Sequence, residues 1–203
     1  MRNHVTKIVP GMLALAAIAS TAVAQAPAPP APGPARGGQA PLAVPNPTYV
    51  TIPLEITVNK PAAEVWARVG KYCDIGEWLR VPCMIISGRD GEIGAVRSIG
   101  NEVMVGKTDL SYTYTQPVRT GRTYDLYHGT LEAKPLTATT SKLVYTLLYD
   151  NSLLADDAAR ETDKTRRAAQ FTTALQNMKI LAEGGTLPPA PARGGRGGAG
   201  PGR

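Results

Sequence analysis

The sequence predicts an α+β domain in which a curved antiparallel sheet of about six or seven strands surrounds one long C-terminal helix. A single strand and two short helical segments come first, a run of strands follows, and a long amphipathic segment ends the domain. Strands and helices that are segregated along the chain, rather than alternating, are typical of α+β folds.

The closing helix is predicted over Ala155–Glu183, with Asp156 and Asp157 at its N-terminus and Gly184-Gly185 after its end. Apolar or small residues recur at helical spacing and predict a buried face: Ala158, Ala168, Phe171, Thr172, Leu175, Met178 and Ala182. The opposite face is predicted to be exposed and carries Arg160, Asp163, Lys164, Arg166, Arg167, Gln170 and Lys179.

The domain opens with Tyr49–Val58, whose strict alternation predicts a half-buried strand. Pro61 then begins a helix over Ala62–Val69, and Cys73–Leu79 forms a second helical turn that carries Trp78.

Six further strands are predicted, and a turn at Gly100-Asn101 joins two of them into a hairpin. The predicted strands are Cys83–Gly88, Gly94–Ile99, Glu102–Lys107, Leu110–Gln116, Arg122–Ala133 and Lys142–Tyr149.

The two ends of the chain differ from this domain in composition. Residues 1–24 combine early positive charge, an apolar run and an Ala22-Val23-Ala24 site, which predicts a cleaved signal peptide, with an uncleaved anchor as the rival interpretation. Residues 25–47 and 184–203 are rich in Pro, Ala, Gly and Arg and are predicted to be a disordered linker and tail. This leaves one domain, residues 48–183, and no membrane anchor after cleavage.

The basic charge of the chain lies outside the predicted domain. Six of the 22 Lys and Arg residues fall in the signal and the tails, which leaves 16 in the domain against all 16 Asp and Glu. A neutral domain gives no electrostatic basis for binding nucleic acid.

Cys73 and Cys83 are the two cysteines of the chain. An even pair at short spacing in an exported protein predicts a disulfide. A nucleophilic cysteine is the alternative, but His128 is the only histidine after the signal peptide. A metal site lacks ligands for the same reason, so no metal or other cofactor is predicted.

The order of elements resembles the helix-grip fold of the START-like (SRPBCC) superfamily, and within it the polyketide cyclase/dehydrase-like branch. Local segments carry the resemblance: AAEVWARVGKYCDIGEWL, GEIGAVRSI, SYTYTQP, and YHGTLEAKPL before KLVYTLLYD. It extends over about Ile52–Leu181. The superfamily includes binders, carriers and enzymes, so the resemblance implies a fold more sharply than an activity. The cysteine pair and the signal are not general in that branch and argue against a cytosolic biosynthetic role.

A sheet wrapped on a helix encloses a space that either side chains fill or a ligand occupies. Alternation assigns one face of the strands inward, and the helix supplies the opposite wall. The predicted ligand-binding residues are Trp78, Tyr112, Tyr114, Tyr127, Leu131, Tyr145, Phe171, Leu175 and Met178. Tyrosines on strands are also ordinary sheet residues, and that interpretation stays open.

Catalytic groups are sparse, and no catalytic residue is predicted. Alternation turns His128 outward, and Asp109, Asp125 and Glu132 would act as bases only if buried. Arg97 either points outward and pairs with a carboxylate or points inward to hold an acidic ligand, and structural pairing is the favoured alternative.

The leading hypothesis is an exported, periplasmic or extracellular binding protein for a small hydrophobic or aromatic molecule, without catalysis. The alternatives are a cyclase- or dehydrase-like enzyme that uses Tyr or Asp groups, and a structural module with a filled interior. The sequence does not define the oligomeric state.

Overall fold

The computed structural model describes residues 46–189, and its architecture is the predicted α+β arrangement. Its elements are β1 (Tyr49–Val58), α1 (Ala62–Val69), α2 (Ile75–Trp78), β2 (Ile85–Ser87), β3 (Val96–Arg97), β4 (Glu102–Thr108), β5 (Ser111–Thr115), β6 (Asp125–Pro135), β7 (Ser141–Asp150) and α3 (Asp157–Ala182).

The seven strands form one antiparallel sheet in the order β1-β7-β6-β5-β4-β3-β2. The first strand therefore pairs with the last, and the remaining neighbours follow as a meander. Helix α3 contacts β1, β7, α1 and α2, so both short helices and the sheet pack on one long helix. The predicted helix-grip fold is confirmed.

Strand β1 alternates between buried and exposed residues, as predicted. Ile52 and Val58 are buried, Leu54 and Ile56 are half-buried, and the residues between them are exposed. The hairpin predicted across Gly100-Asn101 is also present, with Arg97 of β3 opposite Glu102 of β4.

Helix α3 begins at Asp157. The side chain of the preceding residue, Asp156, caps it by accepting a hydrogen bond from the Ala159 amide. The buried face of α3 differs from the prediction at several residues. Ala158 and Thr172, predicted to be buried, are exposed, whereas Ala174 and Leu181, not predicted on that face, are buried. Asp163 and Arg167, predicted to be exposed, are 8% and 7% exposed. They continue the inward row of Phe171 at a spacing of four residues, so the helix turns an ion pair towards the sheet.

The sheet accommodates this ion pair with aromatic rings. Arg167 donates to the Asp163 carboxylate from Nε at 2.8 Å, and its guanidinium carbon lies 4.5 Å from the ring centres of both Tyr124 and Tyr149. Tyr127 completes the cluster at 5.3 Å. Such contacts compensate a cation for lost water, which explains why Arg167 is stable on the inner face.

Cys73 and Cys83 form the predicted disulfide, which encloses α2. Closing a loop of this length stabilises the folded state by roughly 2.5–3 kcal/mol in the chain-entropy account. The bond holds the segment that carries Tyr72 and Trp78, both fully buried.

The folded part extends past the predicted boundary at residue 183. Leu187 packs on the core, and Arg80 donates to the Pro188 carbonyl, because Leu187 supplies an apolar anchor within the Gly- and Pro-rich segment. The predicted signal peptide, nearly all of the linker and residues 190–203 of the tail lie outside the described residues. Within residues 46–189, no helix has the length and apolar character needed to cross a membrane.

Replacing Asp163 by Asn is expected to lower the free energy of unfolding at pH 7 by about 2 kcal/mol, since hydrogen bonds between charged groups are lost. Burial raises the pKa of Asp163, but hydrogen bonds from Arg167 and Arg166 outweigh it and hold the pKa below 3.8. A carboxyl group whose pKa falls on folding stabilises the protein above its unfolded pKa, and the effect is lost as the pH falls through the folded pKa.

Urea unfolding of wild type and Asp163→Asn should therefore show the full difference at pH 7 and a shrinking one below about pH 4. Asp157→Asn is the control, since Asp157 pairs with Arg160 while its own side chain is 99% exposed. A difference between wild type and Asp163→Asn that does not change with pH would contradict this account.

Candidate ligand-binding site

Side chains from the inner face of the sheet and from α3 fill the space between them. All nine predicted ligand-binding residues lie there, and none is more than 5% exposed: Trp78, Tyr112, Tyr114, Tyr127, Leu131, Tyr145, Phe171, Leu175 and Met178. Their inward orientation follows the predicted alternation. Their contact with a ligand stays a prediction.

The middle of this interior is occupied by tyrosines. Tyr114 lies opposite Gly129, and a Cβ atom at Gly129 would be 2.3 Å from Cζ of the Tyr114 ring. The Tyr114 hydroxyl lies 2.8 Å from the Tyr145 hydroxyl, and the Tyr145 ring centre is 4.7 Å from that of Phe171. Glycine on β6 thus admits a phenol that reaches across towards α3.

Arg97 is completely buried at one end of this aromatic layer. Its Nε donates to Oε2 of Glu102 at 2.6 Å, and its Nη1 donates to the Tyr72 carbonyl at 2.6 Å. The rings of Tyr72 and Tyr114 lie 4.3 and 4.6 Å from the guanidinium carbon. Arg97 combines parts of the two predicted alternatives: it points inward, but it pairs there with a carboxylate of the protein.

A short chain of hydrogen bonds holds Glu102. Gln116 donates from Nε2 to Oε1 of Glu102 at 2.8 Å, and the Tyr124 hydroxyl donates to Oε1 of Gln116 at 2.8 Å. Burial raises the pKa of Glu102, and Arg97 and Gln116 only partly oppose this. Glu102 was not predicted as a site residue, although its alternation with Met104 places both on the inward face of β4.

The Tyr112 hydroxyl and Nη2 of Arg97 are both buried without a partner of regular hydrogen-bond geometry among the described protein groups. They lie close to each other, and the guanidinium opposes the rise that burial causes in the pKa of Tyr112. The ring centre of Tyr112 is 5.4 Å from that of Tyr72 and 5.7 Å from that of Trp66. The Tyr112 oxygen can therefore accept from Arg97, and the hydroxyl proton is left without a described acceptor.

An open cavity of about 530 Å³ lies between α1 and the β4–β5 hairpin, and Tyr112 is among its lining residues. Its aromatic and apolar wall consists of Trp66, Ala67, Gly70, Tyr72, Met104 and Tyr112. Its mouth is polar and consists of Lys71, Asp90, Gly91, Lys107, Thr108, Asp109 and Ser111. The cavity thus lies at one end of the helix-grip interior, beside the layer that side chains fill.

The structure brings only one of the nine predicted residues, Tyr112, to this cavity. Trp78 borders a separate groove of about 400 Å³ beside α3. Trp66, Tyr72 and Met104 complete the wall and were not predicted as ligand contacts. Trp66 shares the inner side of α1 with Val65, which the helical spacing indicates, whereas Tyr72 lies in a loop without periodicity.

The charges at the mouth balance. Lys71 and Lys107 lie among the lining residues with Asp90 and Asp109, and Lys107 donates from Nζ to the Gly91 carbonyl at 2.6 Å. This last contact ties β4 to the loop after β2 and closes one side of the cavity.

The cavity wall has no group suited to proton transfer near neutral pH. Burial raises the pKa of Tyr112, and it also raises the pKa of Tyr72. His128 is half-buried on the outer face of the sheet, in the predicted outward orientation. Partial burial lowers its pKa. The described residues contain no cluster of three potential metal ligands.

The other candidate bases do not converge on the wall. Asp109 is exposed at the mouth, and Glu132 pairs with Lys134. Asp125 begins β6 beside the small cleft next to Tyr124. The wall thus offers aromatic and apolar contacts, and the candidate bases of the described residues lie away from it.

Solved structures share this fold with the chain. A protein from Thermobifida fusca, known by solution NMR, is 22% identical with a TM-score of 0.54, and the match covers 65% of this chain and 92% of that one. The Zhui aromatase/cyclase from a Streptomyces species is 18% identical with a TM-score of 0.52, covering 68% of this chain and 100% of that one. The di-domain ARO/CYC protein BexL is 17% identical with a TM-score of 0.51, and the match covers 66% of this chain and 46% of that one.

No protein-family model and no curated protein matches the chain. Identities this low show a common fold, and a common fold hosts many functions. The helix-grip fold is therefore established, and the function must be argued from the site.

Gly129→Ala is expected to lower the free energy of unfolding by about 2 kcal/mol, because its methyl group would overlap the Tyr114 ring and force repacking. Gly106→Ala is the matched control on β4, since a Cβ there would meet Thr113 at an ordinary 3.7 Å. Urea unfolding of both variants measures the effect. Equal stability of the two variants would mean that Tyr114 does not lie against Gly129.

Proposed function

We propose that the protein is an exported binding protein that holds a small hydrophobic or aromatic molecule at the α1 end of its helix-grip interior. The observation that carries this proposal is the cavity of about 530 Å³ with an aromatic wall. Ligand pockets commonly measure about 300–1,000 Å³ and are lined by apolar and aromatic side chains with few polar groups. The sequence predicts a ligand between the sheet and the C-terminal helix. The proposed position is at the α1 end of that space.

The wall offers a ring-shaped ligand specific contacts. Trp66 and Tyr72 lie on either side of Tyr112, each with its ring centre less than 6 Å from that of Tyr112. Rings in this arrangement attract a further ring by edge and face contacts as well as by burial of apolar area.

One polar point orients such a ligand. The Tyr112 hydroxyl is buried and unpaired, and burial keeps it protonated well above neutral pH, so it can donate to a ligand oxygen. A net contribution of about 1 kcal/mol is expected from such a hydrogen bond.

Binding is favoured over catalysis because the wall has no base or acid that titrates near neutrality. The enzyme alternative, a cyclase- or dehydrase-like protein, draws on the names of two structural neighbours, aromatase/cyclase and ARO/CYC. It requires a group that exchanges a proton with substrate, and the tyrosines of the wall have raised pKa values. The structural-module alternative is supported by the filled middle of the interior but leaves the cavity and its unpaired hydroxyl without a role.

Export is supported by two independent features. Residues 1–24 have the pattern of a cleaved signal peptide, and Cys73 and Cys83 form a disulfide of the kind that persists in oxidising compartments. We therefore place the protein in the periplasm or outside the cell. We also assign it to the START-like superfamily, polyketide cyclase-like branch, on its sequence motifs and its fold.

Native mass spectrometry of the protein purified from an exported fraction, under non-reducing conditions, tests the proposal. A bound small molecule, released on denaturation, is the expected result. Titration with naphthalenemethanol, followed by Trp fluorescence or calorimetry, tests the same cavity when the protein is purified empty. Absence of both a bound molecule and any saturable binding would overturn the proposal.

Tyr112→Phe is expected to weaken binding of naphthalenemethanol about fivefold, because the donor to the ligand hydroxyl is removed. Tyr149→Phe is the matched control, since Tyr149 is equally buried but does not line the cavity. Calorimetry on the three proteins measures the dissociation constants. An equal loss in both variants would place the ligand elsewhere.

A further inference from the structure

Behind the aromatic wall of the cavity lies a buried ion pair. The Arg97 guanidinium carbon is 4.3 Å from the Tyr72 ring centre and 5.7 Å from the Tyr112 ring centre, and both rings line the cavity. About one aromatic ring thus separates the Arg97 cation from a molecule bound in the cavity. In the interior of a protein a unit charge acts strongly over such a distance.

Among the described residues, Glu102 is the carboxylate that pairs with Arg97. The other groups around the guanidinium are the Tyr72 carbonyl and tyrosine rings, which carry no net charge. The charged residues at the mouth are balanced, and their exposure to solvent weakens their influence on the wall. The field at the deep end of the cavity therefore depends on whether Glu102 is ionised and in place.

We propose that Glu102 sets the charge selectivity of the cavity: by neutralising Arg97 behind the wall, it makes the site one for uncharged aromatic molecules and excludes aromatic carboxylates. This inference rests on the proposed binding function and specifies its ligand class. Gln116 fixes the second carboxylate oxygen of Glu102, so the anion cannot turn away from Arg97 without losing a further hydrogen bond.

The Tyr112 hydroxyl defines the rest of the ligand. Its oxygen lies next to the Arg97 guanidinium, and its proton has no acceptor among the described protein groups. A neutral molecule with a hydroxyl or carbonyl oxygen supplies an acceptor without bringing a second anion beside Glu102. An aromatic carboxylate would feel Arg97 only through the wall, and Glu102 already compensates that cation.

Three probes of one shape and different charge test the inference: naphthalenemethanol, naphthoate and naphthylmethylammonium at pH 7. The wild type is expected to bind the alcohol at least about tenfold more tightly than either ion, equal to about 1.4 kcal/mol. Glu102→Gln leaves Arg97 as a free cation, and its affinity for naphthoate relative to the alcohol is expected to rise at least about tenfold. Arg97→Gln leaves Glu102 alone and should shift the preference towards naphthylmethylammonium.

The double variant Arg97→Gln/Glu102→Gln removes both charges and should keep the preference for the alcohol. It also serves if Glu102→Gln fails to fold, because its interior holds no unpaired charge. Asp157→Asn, at the start of α3 and away from the cavity, is the control and should change the naphthoate-to-alcohol ratio by less than about twofold, since that charge is exposed.

Two results would overturn the inference. One is a wild type that binds naphthoate as tightly as the alcohol, and the other is a Glu102→Gln variant, folded by circular dichroism, with an unchanged ratio. Failure of the wild type to bind any of the three probes would instead contradict the binding function itself, and this inference with it.

Discussion

A buried arginine sets the main constraint on this domain. Arg97 carries a charge into the end of a tyrosine-lined interior, and a cation there is stable only with a counter-charge and hydrogen bonds that replace water. Glu102 supplies the counter-charge at 2.6 Å, the Tyr72 carbonyl accepts a second hydrogen bond, and the rings of Tyr72 and Tyr114 flank the guanidinium. These partners come from the loop after α1 and from β4 and β5, so the ion pair holds together the part of the fold that forms the cavity.

The interior is thereby divided into two parts with different roles. Tyr114, Tyr145 and Phe171 fill the space under α3, where Gly129 makes room for a phenol ring and a second ion pair, Asp163–Arg167, fixes the helix. The α1 end remains open. The filled part of the core supports the cavity wall and the Arg97–Glu102 ion pair behind it. Because of this support, a domain of this size can be stable and still keep a largely preformed binding site.

The sequence predicted the fold well, because the fold depends on the local periodicity of each strand and helix. Alternation along the strands and the four-residue spacing of α3 define the inward face, and the order of elements restricts the topology. The candidate site was predicted only in part. Tyr112 follows the alternation of β5, but Tyr72 belongs to a loop without a period, and its approach to the cavity depends on tertiary packing. Glu102 was not predicted as a site residue and Asp163 was wrongly predicted to be exposed, because a charged residue at an inward position is interpretable only when its partner is known.

Heteronuclear NMR of the wild type during titration with naphthalenemethanol tests the central claim most directly, because it locates the ligand within the fold. The account predicts saturable shifts concentrated on Trp66, Gly70, Tyr72, Met104 and Tyr112, with small changes along the buried face of α3. Shifts concentrated instead on Phe171, Leu175 and Met178 would contradict it, because they would show that the ligand displaces the tyrosine layer and enters the space under α3.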